Sequence, residues 1–423
     1  MIFNEALINK YMFEGHFGLE KESLRIDENG YLSHSPHPFV GFSNIDRDFC
    51  ENQIEIITDV HDSVDAVYEQ LEKLHKFAAK KMYSLPSGKE YIWNFSNPPY
   101  LRTEEDIPVA KFYGEMRDKE IYREYLATKY GKKKMLFSGI HFNFSFGESY
   151  LDKVFKYSKF DSFIEFKNDL YLNLAKKLTK YSWLVIYLTA ASPLFDGSYI
   201  NEQDLGKSII SKYASARCSE IGYWNDFIPI LDYKNICAYI KSIEQYIESG
   251  QLKTPAELYY PVRIKPSGKF TLENFAEKGV SHIEIRCIDL NPLSEIGLIK
   301  KDVEFLHLLI IYLNALPTES FEDYEQVMAI KNAKRSAIYD DINISLQTGW
   351  DENISIREAA LDVLRRMEGF FDMVGVHQTK EIIEYQKNKL NKEDRRYVDK
   401  IIKTHKSYVK NELDKAEHFA KTL

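Results

Sequence analysis

Only four cysteines occur among 423 residues, and Cys50, Cys218, Cys237 and Cys287 are scattered with no C-x-x-C pair. That spacing excludes a zinc ribbon or a dithiol redox motif. It fits a reducing compartment, where a lone cysteine serves as a small apolar residue. Long apolar runs are also scarce: the greasiest stretch, Tyr181 to Ala191, falls well short of the roughly 20 residues a spanning helix requires. The opening residues, MIFNEALINKYMFEG, lack a basic stretch followed by an apolar run and a small-residue cleavage site, so no signal peptide is read there. Positive charge is not in surplus, since 56 Lys and Arg against 64 Asp and Glu leave a net charge of −8. General nucleic-acid binding needs basic surface and is excluded on that balance. The Lys132-Lys133-Lys134 triplet is too short to alter it and reads as a solvated turn. Glycine-rich phosphate loops are missing too. Gly206-Lys207-Ser208 ends like one, but Asn201 stands where the upstream glycine belongs and no strand precedes it. The expectation is a cytoplasmic chain with no membrane or nucleic-acid partner.

What is present is an ordinary globular composition, 44% hydrophobic and 28% charged. The length exceeds what one small core usually serves, so the reading is a catalytic domain over residues 1–320 and a helical extension over 321–423 packed on it. Asp62 to Tyr83 places Val64, Val67, Leu71, Leu74 and Ala78 at helical spacing behind an Asp62-Ser63 cap signal. Phe160 to Ala191 reads as one long helix stopped before Pro193, and Ile299 to Leu316 and segments after Ile354 repeat the period. From about Asn391 the chain is charged and helical with widely spaced apolar residues, the pattern of a surface helix.

Between the helices lie alternating segments. In Ser138–Phe146 (SGIHFNFSF), Ile140, Phe142, Phe144 and Phe146 oppose His141, Asn143 and Ser145. In SHIEIRCI, Ile283, Ile285 and Cys287 oppose His282, Glu284 and Arg286. Leu19 to Ile26 sets Glu20 and Glu22 on one face, and Gln53 to Thr58 sets Glu55 opposite Ile54 and Ile56. A sheet built this way packs its greasy face on helices and opens the other to water. The fold class is therefore α+β, with chemistry on one open face of an antiparallel sheet. Glu20, Glu22, Glu55 and Glu284, with Asp48 just ahead of the Glu55 strand and His141 on the central one, would converge there. Ionised carboxylates in one cavity repel, so either some of them are protonated or cations sit among them. Oxygen-rich, thiolate-free ligation points to magnesium or manganese, two or three ions gripping a polyphosphate.

At these same residues the sequence resembles the bacterial-type glutamate–cysteine ligases (γ-glutamylcysteine synthetases) and the N-terminal module of bifunctional glutathione synthases. The matching blocks run in order: GLEKESLRI (Gly18–Ile26), DFCENQIEIIT (Asp48–Thr58), YREYLATKYG (Tyr122–Gly131), SGIHFNFSF (Ser138–Phe146), SARCSEIGY (Ser215–Tyr223), ELYYPVRIKP (Glu257–Pro266) and IEIRCIDLNPLSEIG (Ile283–Gly297). They fade after about Pro317, and no second ATP-binding module is read. The resemblance implies a glutamine-synthetase-like sheet and ATP-dependent joining of the glutamate γ-carboxylate to the amine of L-cysteine, the first step of glutathione biosynthesis. It implies magnesium as cofactor, ATP as co-substrate, and a monomer or weak homodimer. Carried over by position, Glu20, Glu22, Asp48, Glu55, His141 and Glu284 look like the metal ligands. Arg217 and Arg286 look like the catalytic cations that meet glutamate and the moving phosphoryl group. Phe49, Tyr122, Leu126, Tyr223 and Tyr259 look like the wall of the cysteine pocket. Two positions depart from the pattern: Met135 and Phe137 stand where a Gln and an Ile are common. Losing that amide leaves open a ligase of the same chemistry acting on another amine.

Overall fold

The computed structural model describes residues 6–340, 343–349, 352–391 and 396–423. Seven strands make one antiparallel sheet: β1 (Gly15–Asp27), β2 (Ile45–Arg47), β3 (Gln53–Ile57), β4 (Glu90–Trp93), β5 (Gly139–Phe146), β6 (Val262–Pro266) and β7 (Val280–Asp289). The order across the sheet is β2-β3-β1-β5-β7-β6, and β4 pairs with the outer end of β1. The helices that matter for the site are α1 (Val64–Tyr83), α2 (Arg117–Tyr130), α3 (Phe163–Lys180), α4 (Ser182–Thr189), α5 (Lys300–Ala315), α6 (Ile356–Met373), α7 (Tyr397–Thr404) and α8 (Tyr408–Thr422).

The alternation read from the sequence sets the layering. Phe17 and Leu19 of β1, Phe142 and Phe144 of β5, and Ile283 and Ile285 of β7 share one core with Leu71 of α1, Leu174 of α3 and Leu309 of α5. Burying such side chains stabilises by roughly 1.5–3 kcal/mol each, so the register is fixed: a one-residue slip would turn the acids inward. α1 begins where the cap signal placed it, with the Ser63 side chain accepting from the Ala66 amide.

Two expectations are corrected. The single helix over Phe160–Ala191 is two, α3 and α4, parted at Tyr181. The Ser182 hydroxyl donates to the Thr179 carbonyl across that break, a local bond of the kind that competes with helix continuation. The surface helix from Asn391 is not a surface helix. Its stretch 392–395 lies outside the described residues, but α7 buries Val398 and Ile401, and α8 buries Tyr408 and Val409. Ile401, Tyr408 and Val409 join Leu24, Ile26, Tyr91 and Trp93 in a second core over β4 and the end of β1, while Val398 packs with Ala190 and Ala214. The Tyr408 hydroxyl donates to the Asn97 carbonyl at 2.8 Å. Tyrosines that bury their rings and still find a partner are underweighted by an apolar count. Among the described residues no helix is long and apolar enough to cross a membrane.

Candidate active site

The strand pairings place the acids in adjoining rows. Glu22 of β1 stands directly opposite Glu55 of β3, which stands opposite Asp46 of β2. Glu20 stands opposite His141 of β5. Asn143 of β5 is opposite Glu284 of β7, and Glu284 is opposite Arg263 of β6. One ligand atom each from Glu20, Glu55 and His141 lies within 4.8 Å of the others. His141 Nδ1 is 3.0 Å from Glu20, and its Nε2, which has no hydrogen-bond partner, is 3.4 Å from Glu22. Asn143 donates to the other Glu20 oxygen at 3.0 Å, and the Gly139 amide donates to Glu22 at 3.0 Å. Asp48 follows β2, and its backbone carbonyl accepts from Arg123 of α2.

Burial and charge divide these acids. Burial pushes the Glu55 carboxyl well above the usual carboxylate range, and neighbouring Glu20, Asp48 and Glu22 push it further. Glu22 is also raised, by burial and Asp48, against the pull of His141 and the two arginines. Burial opposes ionisation of Glu20, yet its hydrogen bond with His141 holds it below the ordinary value. Glu284, fully buried, is likewise opposed by burial but held well below by Arg286 and Lys265. Raised acids beside an unpartnered imidazole nitrogen suit a divalent cation, which would relieve both the repulsion and the orphan lone pair.

The arginines lie beside this row. Arg286 donates to Glu284 at 2.9 Å and lies 3.4 Å from His141. The Arg217 guanidinium donates to the Arg286 backbone carbonyl at 2.6 Å. It can lie there because residue 139 is glycine: an added Cβ would come within 2.3 Å of the guanidinium. Both arginines, Tyr223 and Tyr259 line a narrow cavity of 30 Å³, and the two tyrosine rings stand 4.1 Å apart. Phe49, Leu126, Met135 and Tyr259 belong to one apolar cluster, with Tyr122 and Tyr223 packed against it. Phe137 does not join them: it packs with Phe195 and Ala216 in a separate cluster.

Lys265, 3.4 Å from Glu284, Arg263 and Asn143 were not singled out from the sequence as site residues. The signal existed, because Arg263 and Lys265 alternate with Val262 and Ile264 in the same manner as the acids. Cys50 is fully buried, and burial pushes its thiol upward, the behaviour of a packing residue.

An antiparallel sheet that is greasy on one face and carries gathered acids, a histidine and buried arginines on the other defines a class of site able to hold cations and oxyanions side by side. The chain belongs to the glutamate–cysteine ligase family, whose model matches residues 2–336. The glutathione biosynthesis bifunctional protein GshAB of Listeria monocytogenes is 40% identical over 400 residues, covering 90% of this chain and 51% of that protein. The Clostridium perfringens protein of the same name is 33% identical over 427 residues, covering 95% and 53%. The chain thus spans about half the length of the curated relatives it matches. Among solved structures, a bifunctional glutathione synthetase from Pasteurella multocida superposes with a TM-score of 0.84 at 26% identity, over 100% of this chain and 54% of that one. A glutamate–cysteine ligase from Francisella tularensis, in complex with AMP, shares the fold with a TM-score of 0.84 at 24% identity, over 97% and 89%. The structural likeness therefore continues through the C-terminal helices, beyond the last motif block, which ends at Gly297.

Proposed function

We propose that this chain joins the γ-carboxylate of L-glutamate to the amine of L-cysteine at the expense of ATP, giving γ-glutamylcysteine, ADP and phosphate. The observation that carries the reading is the convergence of Glu20, Glu55 and His141 within 4.8 Å beside the Arg286–Glu284 pair. The names of the relatives, which concern glutathione synthesis, agree with it. Glu20, Glu22, Asp48, Glu55, His141 and Glu284 would hold two or three magnesium ions, with manganese able to substitute, and these supply positive charge against the ATP phosphates.

A carboxylate is a poor acyl donor until it gains a leaving group. An oxygen of the glutamate γ-carboxylate attacks the γ-phosphorus of ATP and ADP departs, leaving a γ-glutamyl phosphate. The free amine then attacks the acyl carbon and phosphate leaves. Arg286, fixed by Glu284, presents a planar fork to the phosphoryl oxygens. Arg217, packed against Gly139, meets the glutamate. Tyr223 and Tyr259, with Phe49, Tyr122, Leu126 and Met135, wall the amine pocket and exclude water that would hydrolyse the acyl phosphate. The work is done in the cytoplasm by a monomer or weak homodimer. A second reading, the same chemistry on a different amine, is favoured by one observation: Met135 is only 2% exposed in an apolar cluster and offers the acceptor no amide.

The test is ADP release from ATP, magnesium and glutamate across a panel of amines, with positional isotope exchange in ATP. Glutamate-dependent exchange and ADP formation with cysteine are expected. AMP as the stoichiometric product would sink the acyl-phosphate route, and product with another amine but none with cysteine would move the reading to the second ligase.

A further inference from the structure

The amine pocket is walled from two sides that belong to different parts of the chain. Tyr122 and Leu126 come from α2, and Tyr259 comes from the segment leading into β6. A polar cluster centred on Glu257, whose exposure is 0%, ties the two sides together. One carboxylate oxygen, Oε1, accepts from Lys129 Nζ at 2.5 Å, from the Tyr130 hydroxyl at 2.8 Å and from the Tyr125 hydroxyl at 3.3 Å. The other oxygen accepts from the Lys253 amide at 2.6 Å. All three donors to Oε1 lie on α2, on the face that also carries Tyr122 and Leu126.

Two of these donors lead directly to the wall. The Tyr125 ring stacks on Tyr122 at 6.3 Å, and the Tyr130 ring meets Tyr259 edge-on at 5.4 Å. Asn225 closes the circuit. Its side-chain amide donates to the Tyr130 hydroxyl at 3.0 Å and to the Glu257 carbonyl at 2.8 Å, and its oxygen accepts from the Tyr259 amide at 2.8 Å. A carboxylate taken fully out of water and paired with an ammonium adds little net stability, because desolvation offsets the attraction. What a satisfied polar network does supply is a single geometry. Here that geometry is the spacing between the α2 side of the pocket and the Tyr259 side.

We propose that Glu257 is a positioning residue that sets the width of the amine pocket, and so decides how bulky an acceptor side chain is admitted. The inference rests on the ligase reading above and adds a determinant to its acceptor site. Glu257 touches no substrate; it acts through Tyr125, Tyr130 and Asn225 on the rings that do. A fitted apolar wall penalises one extra methyl group by about tenfold or more, and a wall that yields penalises it less. The glutamate side is held separately, because Arg217 is fixed by Gly139 and by the Arg286 carbonyl.

The test measures kcat and KM for cysteine and for S-methylcysteine in the parent, in Glu257→Gln and in Tyr130→Phe. The KM for glutamate and glutamate-dependent positional isotope exchange in ATP are measured beside them. Glu257→Gln keeps the volume and removes the charge on which the donors converge. Tyr130→Phe keeps the ring against Tyr259 and deletes only the hydroxyl, so it replaces the first variant if that one does not fold. Either variant should raise the KM for cysteine by roughly threefold to tenfold, the scale of one hydrogen bond, with kcat at saturating cysteine little changed. The preference for cysteine over S-methylcysteine should fall by a similar factor, while isotope exchange and the KM for glutamate stay parental. A merely structural role would move all substrates together. An unchanged acceptor preference in Glu257→Gln, or in Tyr130→Phe where it stands in, would overturn the positioning role and leave the ligase reading intact. So would an equal loss across cysteine, glutamate and isotope exchange. Absence of exchange in the parent would instead sink the ligase reading, and this inference with it.

Discussion

Replacing Glu55 with Gln should stabilise the protein in the absence of a divalent cation, although it removes a residue assigned to the site. Glu55 stands directly opposite Glu22 across the β1–β3 pair, and opposed side chains on a sheet lie about 5 Å apart. Two unit charges at that distance repel by roughly 3 kcal/mol at an effective dielectric of about 20. Asp48 and Glu20 push in the same direction. The sign follows from the carboxyl being raised on folding. The cost is absent below its ordinary value of 4.5, grows as pH climbs through the raised value, and is complete above it. An unfolding entropy of about 2 cal/mol/K per residue, taken over 423 residues, converts ~3 kcal/mol into roughly 3 °C. In a chelator, Glu55→Gln should therefore melt about 3 °C above the parent at pH 8, and the gap should close towards pH 4.5. Magnesium should reverse the order, because bound cations stabilise only the chain that holds them. The measurement is a melting series over pH with chelator or magnesium. A gap independent of pH, or a variant that melts below the parent in chelator, would refute the reasoning.

Arg286→Lys keeps the charge but loses the planar guanidinium, whose Nη1 is held by Glu284, and should cut ADP release by ~10²-fold with the circular-dichroism spectrum unchanged; near-parental turnover would dismiss its phosphoryl role. Gly139→Ala drives a Cβ into the Arg217 guanidinium, so the KM for glutamate should rise about tenfold or more while the melting point moves little; an unaltered KM would show that Arg217 does not meet glutamate. Met135→Gln returns an amide to the pocket and should raise the preference for cysteine over 2-aminobutyrate by up to about tenfold, the worth of one hydrogen bond. A constant ratio in competition assays would mean that position 135 does not read the amine.

The acidic row was legible because it is local. Strand parity is written into consecutive residues, so Glu20, Glu22, His141 and Glu284 fall on one face wherever their strands are placed. Which strands adjoin is not written locally, and the pairing of Asn143 with Glu284 and Arg263 emerged only from the β5-β7-β6 order. The aromatic wall escaped periodicity altogether. Phe49, Tyr122, Met135, Tyr223 and Tyr259 come from separate segments brought together by tertiary packing, and only the family resemblance gathered them beforehand. Lys21 inverts the pattern, a charged residue at a core position of β1 that a hydrophobic count scores as exposed, and it is fully buried on the helix side. The terminal helices misled for a related reason, since α8 inserts Tyr408 and Glu412, which such a count scores as polar.

The bond from Tyr408 to Asn97 joins positions 311 residues apart. During synthesis the sheet's outer strand, β4, leaves the ribosome early, but the helix that roofs it is made roughly three hundred residues later. Until then Tyr91 and Trp93 have no cover on that side. Contacts of such long sequence separation are slow to form, and exposed apolar surface in waiting chains invites association with other chains. The interval between β4 and α8 is thus a period of vulnerability in the life of each nascent molecule, and it ends only when the helix carrying Tyr408 docks.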